Sequence, residues 1–140
     1  MKYILLGAFS SGLLLYGIVL MYGAMATTNF AEMAVFLDGH GEINGRLLIG
    51  LTLLVTGLGF KMAAVPFHMW APDVYEGAPM PITAYIAVGS KVAAFALVLR
   101  LFAEGLLPAI DQWSILIAGM AAVTMLFGNV VALAQTNIKR

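Results

Sequence analysis

Residues 47–70 have the sequence LLIGLTLLVTGLGFKMAAVPFHMW, in which a single lysine stands in a long apolar run. A helix needs about 20 residues to cross the hydrocarbon core of a bilayer, and this run is long enough. It lacks the alternation of apolar and polar residues that a half-buried strand would show. The stretch therefore predicts a membrane-spanning helix, and Pro66 within it predicts a break in that helix.

Three further apolar stretches have a similar length, so the bilayer is the main solvent of this chain. The predicted spans are residues 3–25, 47–70, 82–102 and 113–135. Only 10% of the 140 residues are charged and 62% are hydrophobic, against about 25% charged residues in an average soluble domain. The first run is longer than the core of a signal peptide. We predict an all-α membrane protein, a polytopic bundle of about four spans that forms a single transmembrane unit over residues 1–140.

The composition excludes several function classes. The chain has 7 basic and 7 acidic residues, which leaves a net charge of zero and no polybasic signal for nucleic acid. The absence of cysteine excludes disulfides, thiolate metal sites and cysteine nucleophiles. A glycine-rich phosphate loop, a metal-binding histidine pair and a nucleophile elbow are also missing from the sequence. We therefore expect no catalytic, cofactor-binding or metal site in this chain, and no nucleic-acid partner.

The basic residues predict an orientation. Four crossings leave both ends of the chain on one side of the membrane, and that side carries Lys2, Lys139 and Arg140. The opposite side carries Arg46, and Arg100 if its side chain reaches the interface. Basic residues favour the cytoplasmic side, so we expect both ends to be cytoplasmic.

Two lysines lie where a charge is costly. Lys61 is about 20 Å along the helix from Leu47, and an ammonium near the centre of a span costs about 2.5–3.5 kcal/mol on insertion scales. Lys91 lies near the middle of the third span. Loss of solvation favours the neutral amine, so two such lysines at similar depth could pass a proton between them. The alternative for Lys61 is a side chain that reaches the interface.

His68 and Pro66 follow Lys61 within about two helical turns. On a continuous helix, His68 would share a face with Lys61, and histidine exchanges protons near neutral pH. A histidine that holds the helix end at the interface fits the spacing equally well. Pro66 would free a backbone carbonyl next to Lys61, as in transporters whose interrupted helices bind ions, or it is a passive kink. Lys2 is either an interfacial anchor or a further proton-transfer group.

Several motifs resemble those of a known family. They are GLGFK at 57–61, VPFHMWAPDVYEGAP at 65–79, GSKVA at 89–93 and GNVVALAQTNIKR at 128–140. Together they resemble the antiporter-like membrane subunits of NADH:quinone oxidoreductase, respiratory complex I. The sequence DVYEGAP at 73–79 is more similar to that of subunit N, called chain 2 in mitochondria, than to those of the L and M subunits.

The resemblance implies roles for four residues. Lys61 matches the lysine of a broken seventh helix, Lys91 the lysine of the eighth, His68 a histidine near that lysine relay, and Lys2 a lysine at the start of the sixth helix. The family couples quinone reduction, carried out elsewhere in the complex, to proton translocation along the membrane arm. It implies a bacterial inner membrane location, other membrane-arm subunits and lipid as partners, and no cofactor bound by this subunit, while the parent complex uses NADH and quinone.

The family members have more helices than the four predicted here, so we expect this chain to be a fragment. By the resemblance, the acidic partner of Lys61 belongs to a preceding helix that is absent from it. Two other functions stay open at this point. One is a subunit of a multisubunit cation/proton antiporter or membrane-bound hydrogenase, which shares the fold. The other is a membrane scaffold in which Lys61 has no transport role.

Overall fold

The computed structural model describes residues 2–40 and 44–137, without the side chains of Lys2 and His40. The helices are, in chain order, α1 (Lys2–Met25), α2 (Phe30–His40), α3 (Gly45–Met62), α4 (Trp70–Gly77), α5 (Met80–Gly105) and α6 (Leu107–Ala134). Two π-helical turns, Ile86–Ser90 and Leu101–Gly105, belong to α5, and α6 begins with a 3-10 turn at Leu107–Ala109. Neither described range contains a strand. The predicted all-α fold class is confirmed.

Four of these helices, α1, α3, α5 and α6, are long enough and apolar enough to cross a membrane. The shortest of them, α3, has 18 residues, which corresponds to about 27 Å of helix. The longest, α6, has 28 residues, which is more than the roughly 20 that a hydrocarbon core of about 30 Å requires. The protein is therefore polytopic, with its spanning helices at the four apolar stretches of the sequence.

The second apolar stretch is interrupted, but the interruption begins before Pro66. Helix α3 ends at Met62, residues 63–69 leave the helix, and Trp70 begins α4. The predicted break is thus a segment of non-helical backbone, and the alternative of a passive kink in one continuous helix is not observed. The start of this segment is set by Ala63, whose left-handed conformation cannot continue a right-handed helix. Pro66 lies within this segment, after a cis peptide bond to Val65.

The link between the first two spans contains α2, which the sequence analysis did not predict. One face of this helix carries the exposed acidic residues Glu32 and Asp38. The other face of α2 nevertheless carries Met33 and Leu37, four positions apart and buried in the main core. That core lies at one end of the bundle, where α2 packs against the turn between α5 and α6.

Helices α1 and α3 pack closely along glycines. A Cβ atom at Gly17 would lie 2.8 Å from the backbone oxygen of Gly50, and a Cβ atom at Gly57 would lie 2.6 Å from the side chain of Leu14. Buried Ser10 donates a hydrogen bond to the carbonyl of Gly57 over 3.4 Å. Small residues allow such close approach of helices in lipid. Ser10 and Gly57 thus contribute directly to the contact between α1 and α3.

The two described ends of the chain lie at the same end of the bundle, beside α4. The ring of Tyr3 in α1 lies 5.3 Å from that of Trp70, and Asn137 donates a hydrogen bond to Glu76 over 3.0 Å. An even number of crossings produces this arrangement. Lys139 and Arg140, on which the predicted orientation partly rests, lie outside the described residues.

Candidate functional site

The end of α3 is closed by two backbone hydrogen bonds of a Schellman motif. Ala63 has a φ of 57°. Its N–H donates to the carbonyl of Phe60 over 3.1 Å, and the N–H of Ala64 donates to the carbonyl of Gly59 over 2.8 Å. The left-handed conformation costs alanine about 1–2 kcal/mol, a cost that glycine avoids. The chain carries this strain at the point where the helix must stop.

Trp70, the first residue of α4, folds back over the end of α3. Its indole N–H donates to the carbonyl of Phe60 over 2.9 Å, and the two rings stack with centroids 5.4 Å apart. The side chain is only 4% exposed. The carbonyl of Phe60 also accepts the N–H of Ala63, so the indole is a second donor to the same oxygen, and its ring covers the end of the helix. Trp70 therefore joins the two sides of the interruption.

Thr124 of α6 supports the interruption from the other side. Its Oγ1 accepts a hydrogen bond from the backbone N–H of Val65 over 3.0 Å and donates to the carbonyl of Met120 over 2.6 Å. Non-helical backbone at membrane depth is tolerated where protein or water satisfies its polar groups. Sequence analysis missed Thr124, because one threonine in an apolar span carries no signal of a partner 59 positions away.

Lys61 lies in the last turn of α3 and is half-buried. The sequence analysis predicted a span broken at Pro66, and the helix in fact stops before the proline, at Met62, one residue after Lys61. The negative end of a helix dipole favours a cation by about 0.3–1 kcal/mol. The backbone thus offsets part of the cost of this charge. Within the described ranges Lys61 has no carboxylate partner.

His68 lies in the interruption, so the shared helix face with Lys61 that the spacing predicted does not exist. Its ring meets that of Phe127 in α6 edge to face, with centroids 4.8 Å apart. Its Nδ1 is buried and has no hydrogen-bond partner among the described residues. A buried polar atom of this kind costs about 1–3 kcal/mol unless water or another group satisfies it.

Lys91 follows directly after the π-helical turn Ile86–Ser90 of α5. Single π-helical turns inside α-helices occur frequently at functional sites. The Nζ atom of Lys91 lies 5.5 Å from the centroid of the Tyr75 ring, within the range of a cation–π contact. The sequence analysis quoted Tyr75 within a motif but assigned it no role.

His68, Tyr75 and Lys91 line one partly open cavity of about 620 Å³ between the interruption, α4, α5 and α6. Thr124 and the polar residues Gln135 and Asn137 also line it. Lys61 is not among the lining residues, and the side chain of Lys2 lies outside the described part of the chain. The structure therefore brings two of the four predicted proton-transfer residues together and adds a tyrosine to them.

The described residues contain no group of three or more histidine, aspartate or glutamate side chains placed to hold a metal ion. The cavity is instead lined by an imidazole, an amine and a phenol. Such a set can bind water and move protons, since each member donates or accepts hydrogen bonds.

Known proteins match the chain along its whole length. Residues 1–140 match the family model described as NADH:quinone oxidoreductase/Mrp antiporter, TM. The NADH-quinone oxidoreductase subunit N of Desulforamulus reducens is 56% identical and that of Alkalilimnicola ehrlichii 51% identical. Each alignment covers 100% of this chain but 29% of the relative, so the chain spans less than a third of the length of these relatives.

A solved structure agrees with the sequence relatives. A chain of respiratory complex I from Thermus thermophilus with bound aureothin has a TM-score of 0.78 and 38% sequence identity, over 99% of this chain and 28% of that chain. With the family model matched from end to end, the chain belongs to the NADH:quinone oxidoreductase/Mrp antiporter transmembrane family, and within that family it is similar to subunit N.

Proposed function

We propose that this chain is part of a proton-translocating membrane-arm subunit of NADH:quinone oxidoreductase. The observation that carries the proposal is the interrupted span, which has Lys61 at its helical end and His68 in a cavity shared with Lys91. Ionisable groups inside a membrane are expensive and mark ion or proton pathways. Interrupted helices in transporters lie at such pathways. The similarity to subunit N supports the choice of complex.

In this proposal protons are exchanged among Lys61, Lys91, His68 and Lys2. The segment around Pro66 is the break at which α3 ends, beside the cavity that His68 and Lys91 line. The subunit carries no redox step and binds no cofactor of its own. NADH oxidation and quinone reduction take place in other subunits, and the charge changes that they cause reach this chain through its protein neighbours. The activity is that of a translocase within an oxidoreductase.

The proposed location is the bacterial inner membrane, with residues 1–140 as one transmembrane unit and both ends on the cytoplasmic side. Helix α6 supports a membrane and subunit environment, since its residues 110–134 include none that is buried within the described chain, and it exposes large apolar side chains such as Leu126 and Leu133. A surface of this kind requires lipid or another subunit as its partner. Other membrane-arm subunits of the complex are the proposed protein partners.

The test is proton pumping and NADH:quinone turnover in an assembled complex I that carries Lys61→Ala. Loss of a proton-transfer group lowers a rate by about 100-fold or more, so we expect pumping and coupled turnover to fall together while the complex still assembles. Arg100→Ala is the matched control. It removes a basic side chain that is exposed and paired with Glu104 at 3.3 Å.

The two alternative functions predict other results. A scaffold role predicts full pumping in Lys61→Met, because an apolar side chain suits lipid better than an ammonium. An antiporter role predicts sodium-dependent transport without a redox partner. Normal pumping in both Lys61 variants would remove this residue from the proton path.

A further inference from the structure

Trp70 lies in the middle of a cluster of aromatic rings beside the interruption. The centroid of its ring lies 5.3 Å from that of Tyr3 in α1 and 5.4 Å from that of Phe60 in α3. Tyr75, further along α4, meets it edge to face at 6.1 Å. Trp70 is buried, so these contacts fix its place. The residue therefore packs α4 against both α1 and α3.

The rings around Trp70 lie next to two of the predicted proton-transfer residues. Phe60 directly precedes Lys61 in α3, and the ring of Tyr75 faces Nζ of Lys91 at 5.5 Å. An aromatic face at this distance attracts a cation. A single side chain thus touches both the residue before Lys61 and the ring that faces Lys91.

The indole N–H of Trp70 fixes α4 to the end of α3. It donates to the carbonyl of Phe60 over 2.9 Å, across the residues 63–69 that leave the helix. The same carbonyl accepts the N–H of Ala63, so the cap of α3 does not depend on the indole. What the indole adds is a defined position of α4 relative to the end of α3. Groups that react with each other need to be held to within about 0.5 Å by packing and hydrogen bonds of this kind.

We propose that Trp70 is a positioning residue for proton transfer at Lys61 and Lys91, an inference that rests on the proposed function. Its hydrogen bond holds α4 against the end of α3 that carries Lys61. Its ring packs against that of Tyr75, which in turn keeps the ammonium of Lys91 in place. The indole exchanges no proton, because its N–H acts only as a hydrogen-bond donor. Trp70 acts on the transfer through the positions of the two lysines.

Trp113 provides a matched control, because it makes the same kind of contact elsewhere. Its indole N–H donates to the carbonyl of Leu106 over 2.7 Å, and its ring meets that of Phe102 edge to face at 4.8 Å. Phe102 and Leu106 are buried in the main core, at the end of the bundle opposite to Trp70. Trp70→Phe and Trp113→Phe each remove one indole hydrogen bond and keep an aromatic ring. Only the first change lies beside the lysines.

The test compares these two variants in assembled complex I reconstituted into liposomes. The measurements are proton pumping and NADH:quinone turnover per assembled complex, the solvent deuterium isotope effect on turnover, and the midpoint of thermal inactivation. We expect both variants to assemble with a lower midpoint, since each loses a hydrogen bond. A misplacement of about 1 Å can lower a rate by about 100-fold, so Trp70→Phe should lower pumping and coupled turnover by about tenfold or more and raise the isotope effect. Trp113→Phe should keep normal rates and a normal isotope effect.

A second pair of variants tests the route from Trp70 to Lys91. Tyr75→Leu removes the ring between them and should lower pumping in the same way as Trp70→Phe. Tyr75→Phe keeps the ring and removes only a hydroxyl that has no hydrogen-bond partner among the described residues. It should therefore keep normal pumping and a normal isotope effect. Equal rates in the two Tyr75 variants would overturn the proposal, because the ring would then not position Lys91.

A purely structural tryptophan predicts different results. Trp70→Phe would then resemble Trp113→Phe, with a lower midpoint but normal pumping and a normal isotope effect per assembled complex, and this outcome would overturn the proposal. Failure of Trp70→Phe to assemble while Trp113→Phe assembles would overturn it as well, since Trp70 would then be needed for folding.

Lys61→Ala and Lys91→Ala, measured in parallel, separate the two levels of inference. If both lysine variants stop pumping while Trp70→Phe pumps normally, only the role of Trp70 fails. If both lysine variants pump normally, the proposed function fails as well.

Discussion

Thr124 Oγ1 accepts a hydrogen bond from the backbone N–H of Val65 over 3.0 Å. This one contact joins the fourth spanning helix to the non-helical segment of the second apolar stretch. Val65 precedes Pro66, and the segment is too short and irregular to satisfy its own polar groups by helical hydrogen bonds. The interruption is therefore a property of the bundle, since α3 could not support it alone.

Replacing Thr124 by valine should destabilise the protein, because the shape is kept while the N–H of Val65 loses its acceptor. The expected cost is about 1–3 kcal/mol. It can be measured as a lower midpoint of thermal inactivation of the assembled complex. Thr52→Val is the control, since Thr52 is exposed and its hydroxyl bonds only to Leu48 in its own helix. Equal midpoints for the two variants would mean that water satisfies Val65.

Ala63→Gly should relieve the strain at the end of α3. The left-handed conformation destabilises the folded state by about 1–2 kcal/mol when the residue is alanine, and glycine removes this strain. Glycine also gives the unfolded chain more conformational freedom, which offsets up to about 1 kcal/mol of that gain. We expect a midpoint of thermal inactivation that is equal to or above that of the unchanged complex. Ala64→Gly, one residue later and without positive φ, should lower the midpoint. A larger loss in Ala63→Gly than in Ala64→Gly would contradict the strain at Ala63.

Gly17→Ala should separate α1 from α3. The added Cβ would lie 2.8 Å from the oxygen of Gly50 and 2.8 Å from the nitrogen of Leu54, and backbone atoms cannot move aside as side chains do. Overpacking of this kind costs about 1–3 kcal/mol, measurable as reduced assembly yield and a lower inactivation midpoint. Gly12→Ala on the same helix meets no atom within 4 Å and should be neutral or stabilising. Similar behaviour of the two variants would disprove the tight α1–α3 contact.

His68→Phe should change function and stability in opposite directions. Phenylalanine can keep the edge-to-face contact with Phe127, and it removes the buried Nδ1 atom, which has no hydrogen-bond partner among the residues that the structure describes. The inactivation midpoint should therefore stay or rise. Proton pumping should fall by about 100-fold or more if the imidazole exchanges protons. Normal pumping at normal stability would leave His68 as a packing group only.

Apolar runs and their lengths are local properties, so the sequence by itself determined the all-α membrane fold and the four spanning stretches. The proline and the lysines are local signals too, and they indicated an interrupted span that carries charge. The motif around Pro66 further identified the family, and the family model and the relatives agree with that assignment.

Only the tertiary structure decided where the interruption begins and what surrounds it. The interruption starts at Ala63, where α3 is capped and Trp70 donates a hydrogen bond to the carbonyl of Phe60. Thr124 accepts a hydrogen bond from the backbone N–H of Val65 within the interruption. Once α3 stops at Met62, His68 no longer shares a helix face with Lys61 and instead joins the cavity of Lys91. These contacts join residues that are far apart in the chain, and no periodic pattern of apolar and polar residues encodes such pairs, because their geometry exists only after the helices have packed.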